Sequence, residues 1–184
     1  STYRGTQPAY VPGTEEYLLV DGYNIIFAWK ELNELAQHNI DSARDKLMDI
    51  MCNYQGAKNV NLILVFDAYK VSGGQGEIFD YHNIHVVYTK EAETADQYIE
   101  KVSHELSRKY HVTVATSDRL EQMIIWGAGA RRISAPGFYE EVMNTIQEVR
   151  QNIERDKPKN KNYLKDNISR EAYEKLEKIK ENLQ

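Results

Sequence analysis

YLLVD at residues 17–21 decides the fold. Four apolar positions in a row, too few for a helix, run straight into Asp21-Gly22, so the segment reads as a buried strand closed by a turn. A second run of the same kind, VNLILVFD at 60–67, also ends on an aspartate. IHVVY at 84–88 and VTVAT at 112–116 repeat the pattern, and RRIS at 131–134 makes a short fifth strand. Strands that are apolar on both faces belong in a parallel sheet covered by helices on both sides.

The stretches between them supply the helices. Residues 41–57 place Leu47, Ile50, Met51 and Tyr54 at helical spacing, with Ser42 as cap, Asp45 three positions later and Gly56 as the close. Thr94 and Gln97 form a capping-box pair that opens a helix through 109. Asp118, with Glu121 three later, opens another, and Pro136 begins one that reaches about Arg155. Residues 70–83 contain GGQG and no period, so they read as a loop. The expectation is an α/β fold with a five-stranded, mainly parallel sheet, helices on both faces and an added C-terminal helix.

Beyond this body the chain changes character. Residues 1–16 are aperiodic and carry Pro8, Pro12, Gly5 and Gly13, as a linker does; Ser1 in place of Met is expected of a chain cut from something longer. The domain spans 17–155. Residues 156–168, DKPKNKNYLKDNI, read as a polar linker. Residues 169–184 return to an amphipathic helix, with Ser169 as cap and Ala172, Leu176, Ile179 and Leu183 as its stripe.

Composition narrows the function. In 184 residues the net charge is −5, so the chain lacks the basic balance that marks many nucleic-acid binders. The charge is uneven: residues 155–184 hold nine Lys and Arg against six Asp and Glu, and the rest is net −8. A single cysteine, Cys52, excludes an internal disulfide and a cysteine-built zinc site, and fits a reducing cytoplasm. No apolar run approaches the ~20 residues of a membrane helix, and the first residues lack a secretory apolar core. GxGxxG, GxxxxGK[ST] and GxSxG are absent, and the five histidines have no metal spacing.

The acids carry the signal. In an open parallel sheet, ligands bind beyond the carboxyl ends of the strands. Asp21 ends the first strand and Asp67 the second; Glu91, Glu93 and Asp96 follow the third, and Asp118 follows the fourth. Carboxylates gathered on one rim repel one another unless a cation neutralises them. Oxygen-only donors suit Mg²⁺ or Mn²⁺, and such ions serve phosphodiester hydrolysis. Each acid also has an ordinary reading. Asp96 and Asp118 stand where helix capping favours aspartate, Asp67 suits a turn, and Glu91 and Glu93 suit solvent. Asp21 resists that reading, because an acid closing a buried strand is costly unless it lines a cleft. Lys90, Arg119, Lys70, Arg131 and Arg132 lie near strand ends, placed either to hold phosphates or as plain surface charge. Tyr23 and Tyr69 follow acidic strand ends, where packing or base stacking would use them.

LLVDGYNII at 18–26 resembles the opening motif of NYN domains, a branch of the PIN-like ribonuclease superfamily. VFDAYKV at 65–71, VVYTKEAETADQYIE at 86–100 and VATSDRLEQ at 114–122 resemble the successive motifs of the YacP-like NYN group, in order, from about 17 to 154. The resemblance implies a PIN-like three-layer sandwich and metal-dependent endonucleolytic cleavage of single-stranded RNA. It implies Asp21, Asp96 and Asp118 as Mg²⁺ or Mn²⁺ ligands, with Glu93 beside them, Asn24 supporting the site and Asp67 lining the cleft. It also implies mRNA presented by the ribosome as substrate, and a translation-factor-like GTPase as a domain to which such modules are fused. The rival expectation is a non-catalytic RNA- or ribosome-binding module on the same fold. A pure binder gains nothing from negative charge set beside phosphates. A phosphatase is disfavoured because Asn24 stands where DxDx[TV] needs its second aspartate.

Overall fold

The computed structural model describes residues 15–68, 75–118, 129–167 and 170–182. In chain order the elements are β1 (Glu16–Asp21), α1 (Gly22–Ala28), α2 (Lys30–His38), α3 (Ile40–Lys58), β2 (Asn61–Phe66) and β3 (Gln75–Tyr81). Then come β4 (Ile84–Lys90), α4 (Ala95–Leu106), β5 (His111–Ala115), β6 (Arg131–Ile133), α5 (Ala135–Asn167) and α6 (Arg170–Asn182).

The strands form one six-stranded sheet in the order β3-β4-β2-β1-β5-β6. All neighbours are parallel except β3, which runs antiparallel to β4. β1 is central, pairing Leu19 with Ile63 of β2 and with Val114 of β5. Side chains alternate along each strand and so feed two cores. On one face Leu19, Val65, Val87, Val112 and Val114 pack against Ala95 and Ile99 of α4. On the other, Phe66 meets Tyr23 of α1 with ring centroids 5.2 Å apart. Gly22 lets α1 start there: a Cβ on it would stand 2.4 Å from Cε1 of Phe66 and 3.0 Å from the Val65 carbonyl.

The α/β class and the mainly parallel sheet agree with the sequence expectation, and the sheet gains one strand. Residues 75–81, expected as part of a loop, form β3, paired to β4 through a turn in which His82 adopts φ 50°. Their alternation is hidden because β3 is an edge strand with exposed residues on both faces, Ile78 among them. The α3 cap also differs: Asn39 Oδ1, not Ser42, accepts from the Asp41 and Ser42 amides at 2.9 and 3.2 Å. The helix passes Gly56 and ends at Asn59, whose φ of 54° suits asparagine. The Thr94–Gln97 capping box is formed as expected, and α4 stops at Leu106 rather than 109. The expected helix after Asp118 and the Ser169 cap lie outside the described residues.

The chain divides into two compact units between Thr145 and Ile146. The division falls before the break expected at 155, and residues 156–167, expected as a linker, are helical as part of α5. Among the described residues no helix is long and apolar enough to cross a membrane.

Candidate active site

β1, β2, β4, β5 and β6 run parallel, so their carboxyl ends share one rim of the sheet. Asp21 closes β1 in register with Val65, and Asp67 stands two residues beyond that partner. Asp118 follows β5 on the other side, three residues past Ala115, which pairs with Val20. Three acids thus end three consecutive strands, β2, β1 and β5. Asp96 lies in the first turn of α4, whose Ala95 and Ile99 pack against Leu19 of β1.

Asp21 is 7% exposed, whereas Asp67, Asp96 and Asp118 are partly exposed. Asp21 occupies the N-cap position of α1, yet its side chain makes no capping hydrogen bond. At α4 the cap is Thr94, whose hydroxyl accepts from the Gln97 amide at 3.2 Å while Gln97 reaches back to the Thr94 amide at 3.0 Å. The ordinary capping roles are therefore not filled by these two acids.

The β5 flank is tied down by directional hydrogen bonds. Asn24 Oδ1 accepts the Ser117 amide at 2.8 Å. Ser117 Oγ accepts the Ala135 amide at 2.9 Å, and the Ala135 carbonyl accepts Trp29 Nε1 at 2.9 Å. Thr116 Oγ1 accepts the Asp118 amide at 3.1 Å. The loop carrying Asp118 is thereby connected to α1 and to the start of α5. The β2 flank is built from rings. Tyr23, Phe66, Tyr88 and Phe79 follow one another with centroids 5.2, 5.5 and 5.8 Å apart. Behind them lies Arg44 of α3, 8% exposed, which donates from Nη1 to the Tyr23 hydroxyl at 3.1 Å and pairs with Asp41. Burial raises the Tyr23 phenol above its ordinary range, Arg44 draws it partly back, and the field of Asp67 adds to the rise. Thr89 Oγ1 accepts the Ala68 amide at 3.1 Å and fixes the chain just after Asp67.

Other candidates are placed less centrally. Glu93 lies 3.4 Å from Lys101 Nζ and makes an ion pair there. Lys90 is exposed at the end of β4 and Arg131 at the start of β6. Arg132 Nε donates to the Thr116 carbonyl at 3.1 Å. Tyr23 is 5% exposed and serves packing. Arg119, Lys70 and Tyr69 lie outside the described residues. Among the described residues, no three acidic, histidine or cysteine side chains stand close enough to cage a metal by themselves.

Sequence reasoning missed Ser117 and Arg44. Ser117 carries no pattern of its own. Arg44 carried a signal: it shares the 44, 47, 48, 51 stripe with Leu47, Met48 and Met51, all buried, where a charge demands a partner.

The profile of the YacP-like NYN domain matches residues 18–181. The uncharacterized protein YacP of Bacillus subtilis (strain 168) is 40% identical over 141 residues, which are 76% of this chain and 80% of that one. The crystal structure of Rae1 (YacP) from Bacillus subtilis superposes with a TM-score of 0.68 at 37% identity, covering 90% of this chain and 94% of that one. A tryptophan-to-leucine variant of the same protein gives 0.68 at 37%, covering 78% and 84%. With its mainly parallel sheet and its acids at the strand ends, the chain belongs to the YacP-like NYN domain family, a branch of the PIN-like nuclease superfamily.

Proposed function

We propose that this protein is a metal-dependent endoribonuclease that hydrolyses single-stranded RNA, with mRNA presented on the ribosome as its substrate. The observation that carries the reading is the gathering of acids on one rim: Asp21, 7% exposed, ends the central strand, and Asp67 and Asp118 follow the strands on either side of it. Family membership supports nuclease chemistry at the same rim.

The donor chemistry fits a hard divalent ion. Asp21, Asp96 and Asp118 offer only oxygen; as no three acids among the described residues stand close enough to hold one ion together, some of them would reach it through the waters that Mg²⁺ or Mn²⁺ keeps. Glu93 would join only by leaving Lys101. When bound, the ion would acidify a water and offset charge on the scissile phosphate. The chain's own part is positional. Asn24 holds the Ser117 amide and with it the loop of Asp118, while Lys90 is exposed at the end of β4, where it would meet a phosphate of the RNA. The net charge of −5 disfavours capture of free RNA and favours a large partner that presents it.

The test is cleavage of a translated mRNA with and without ribosomes, comparing wild type, Asp96→Asn and Thr94→Ala. Asp96→Asn is expected to slow cleavage ~100- to 1,000-fold per folded molecule, as loss of a dominant electrostatic group does. Thr94→Ala is expected to cost about 1 kcal/mol of stability and leave cleavage intact. Equal cleavage by Asp96→Asn and wild type would remove the catalytic assignment. Rapid cutting of naked RNA with no gain from ribosomes would remove the ribosomal part alone.

A further inference from the structure

Arg44 is the one buried Lys or Arg among the described residues, and its place calls for a reason. It lies on the buried face of α3 beside Ala43, Leu47 and Met48. An apolar side chain of similar length would serve stability there as well or better, because desolvating a guanidinium offsets most of what its pairing returns. Its ion-pair partner Asp41 is 72% exposed, so that pair is screened and contributes little. What distinguishes arginine is a planar fork with several donors in fixed directions.

The fork is used. Nη1 holds the Tyr23 hydroxyl at 3.1 Å; burial raises the Tyr88 phenol above its ordinary range, and the charge of the same guanidinium draws it partly back. Tyr23 sits on α1 between Asp21 and Asn24 in sequence, and Tyr88 on β4. Between the two rings stands Phe66, with centroids 5.2 Å and 5.5 Å away, and Asp67 is the next residue along. One side chain of α3 thus anchors α1, and the Tyr23 ring that it holds packs against Phe66 at the end of β2.

We propose that Arg44 is a positioning residue for the acidic site: by holding the hydroxyl of Tyr23, whose ring packs against Phe66, it sets the spacing between the Asp21–Asn24 turn and Asp67. The inference rests on the nuclease reading for its consequence in catalysis, and on geometry alone for its consequence in structure. Displacing a catalytic group by about 1 Å costs on the order of 100-fold in rate. Loss of the anchor is a milder displacement.

The experiment uses the full chain in four forms: Arg44→Met, Tyr23→Phe, the double variant and Arg44→Lys. Two readouts are taken: RNA cleavage normalised to folded protein, and backbone amide exchange of residues 22–26 in protein stripped of metal. Expected are a ~10-fold fall in kcat with KM unchanged for Arg44→Met, a fall for Tyr23→Phe, and no multiplication in the double variant. Arg44→Lys, which keeps a donor, is expected to recover part of the loss. Exchange at 22–26 should quicken in Arg44→Met by more than exchange in β1. A raised KM with kcat unchanged, fully multiplicative losses, or unaltered exchange at 22–26 would each overturn the assignment. If Arg44→Met does not fold, Tyr23→Phe and Arg44→Lys carry the same comparison. If the wild type cuts no RNA, the nuclease reading fails, and the exchange data still decide whether Arg44 orders the turn.

Discussion

On the β5 side of β1, Asn24, Ser117, Ala135 and Trp29 are linked by bonds of 2.8 to 2.9 Å, each with a main-chain group on one end. On the β2 side the same strand end is backed by Tyr23, Phe66 and Tyr88, with a single buried cation behind them. Hydrogen bonds to backbone fix direction and fail when one partner is removed, because the orphaned group stays buried. Ring packing fixes volume and fails when anything is added, because interiors are close-packed. Asp118 is therefore held chiefly by direction, and Asp67 by ring packing together with the bond from the Ala68 amide to Thr89 Oγ1.

The largest effect should separate the two acids. Asp118→Asn is expected to slow cleavage ~100- to 1,000-fold, and Asp67→Asn only ~10-fold. Single-turnover rates per folded molecule decide it, and a larger loss at Asp67 would reverse the roles of the flanks. The next test adds volume to the packed side. Gly22→Ala places a carbon 2.4 Å from Phe66 Cε1, and that ring is hemmed in by Tyr23 and Tyr88. We expect a loss of about 3 kcal/mol in denaturant unfolding; a neutral result would show that the rings yield.

Subtraction probes the polar side. Asn24→Ala leaves the Ser117 amide without its acceptor and is expected to cost ~2 kcal/mol. Trp29→Phe keeps the ring against Phe138, 5.7 Å away, but loses the bond to the Ala135 carbonyl. About 1 kcal/mol should go with it. If both variants unfold like wild type, the hydrogen-bonded chain does not hold the flank.

The smallest expected effect is a control remote from both flanks. The hydrogen bond from Tyr81 to Asp49, at 2.7 Å, pushes that phenol up from 10.0 to about 12. A phenol that holds its proton more tightly when folded stabilises the fold fully below its unfolded value. That stability is then lost between about pH 10 and 12. Tyr81→Phe should remove this part of the alkaline decline and leave cleavage at neutral pH unchanged. An unaltered alkaline profile would show that the bond does not persist in solution.

Much of the fold was legible in the sequence, and the reason is visible in β1 and β2. YLLVD and VNLILVFD are apolar on both faces because both faces are covered, and that leaves a continuous run which its shortness and the Asp that closes it mark as a strand rather than a buried helix. β3 was not legible, because an edge strand exposes residues on both faces and shows no run. The α3 cap was misread by three residues, since Asn39 and Ser42 are equally good capping residues and only the backbone path chooses between them.

By itself, the sequence determined that aspartates close the buried strands, because an acid ending an apolar run is visible without coordinates. It also determined the Thr94–Gln97 cap, a local interaction three residues apart. Tertiary structure alone decided which strands are neighbours, and so that Asp67, Asp21 and Asp118 end adjacent strands. Strand order is set by long-range packing, which leaves no trace in local spacing. Tertiary structure alone also joined Asn24 to Ser117 across 93 residues, and Arg44 to Tyr23 across 21. Such pairings depend on where the fold brings each side chain, and the residue types involved are common enough that no pattern announces them.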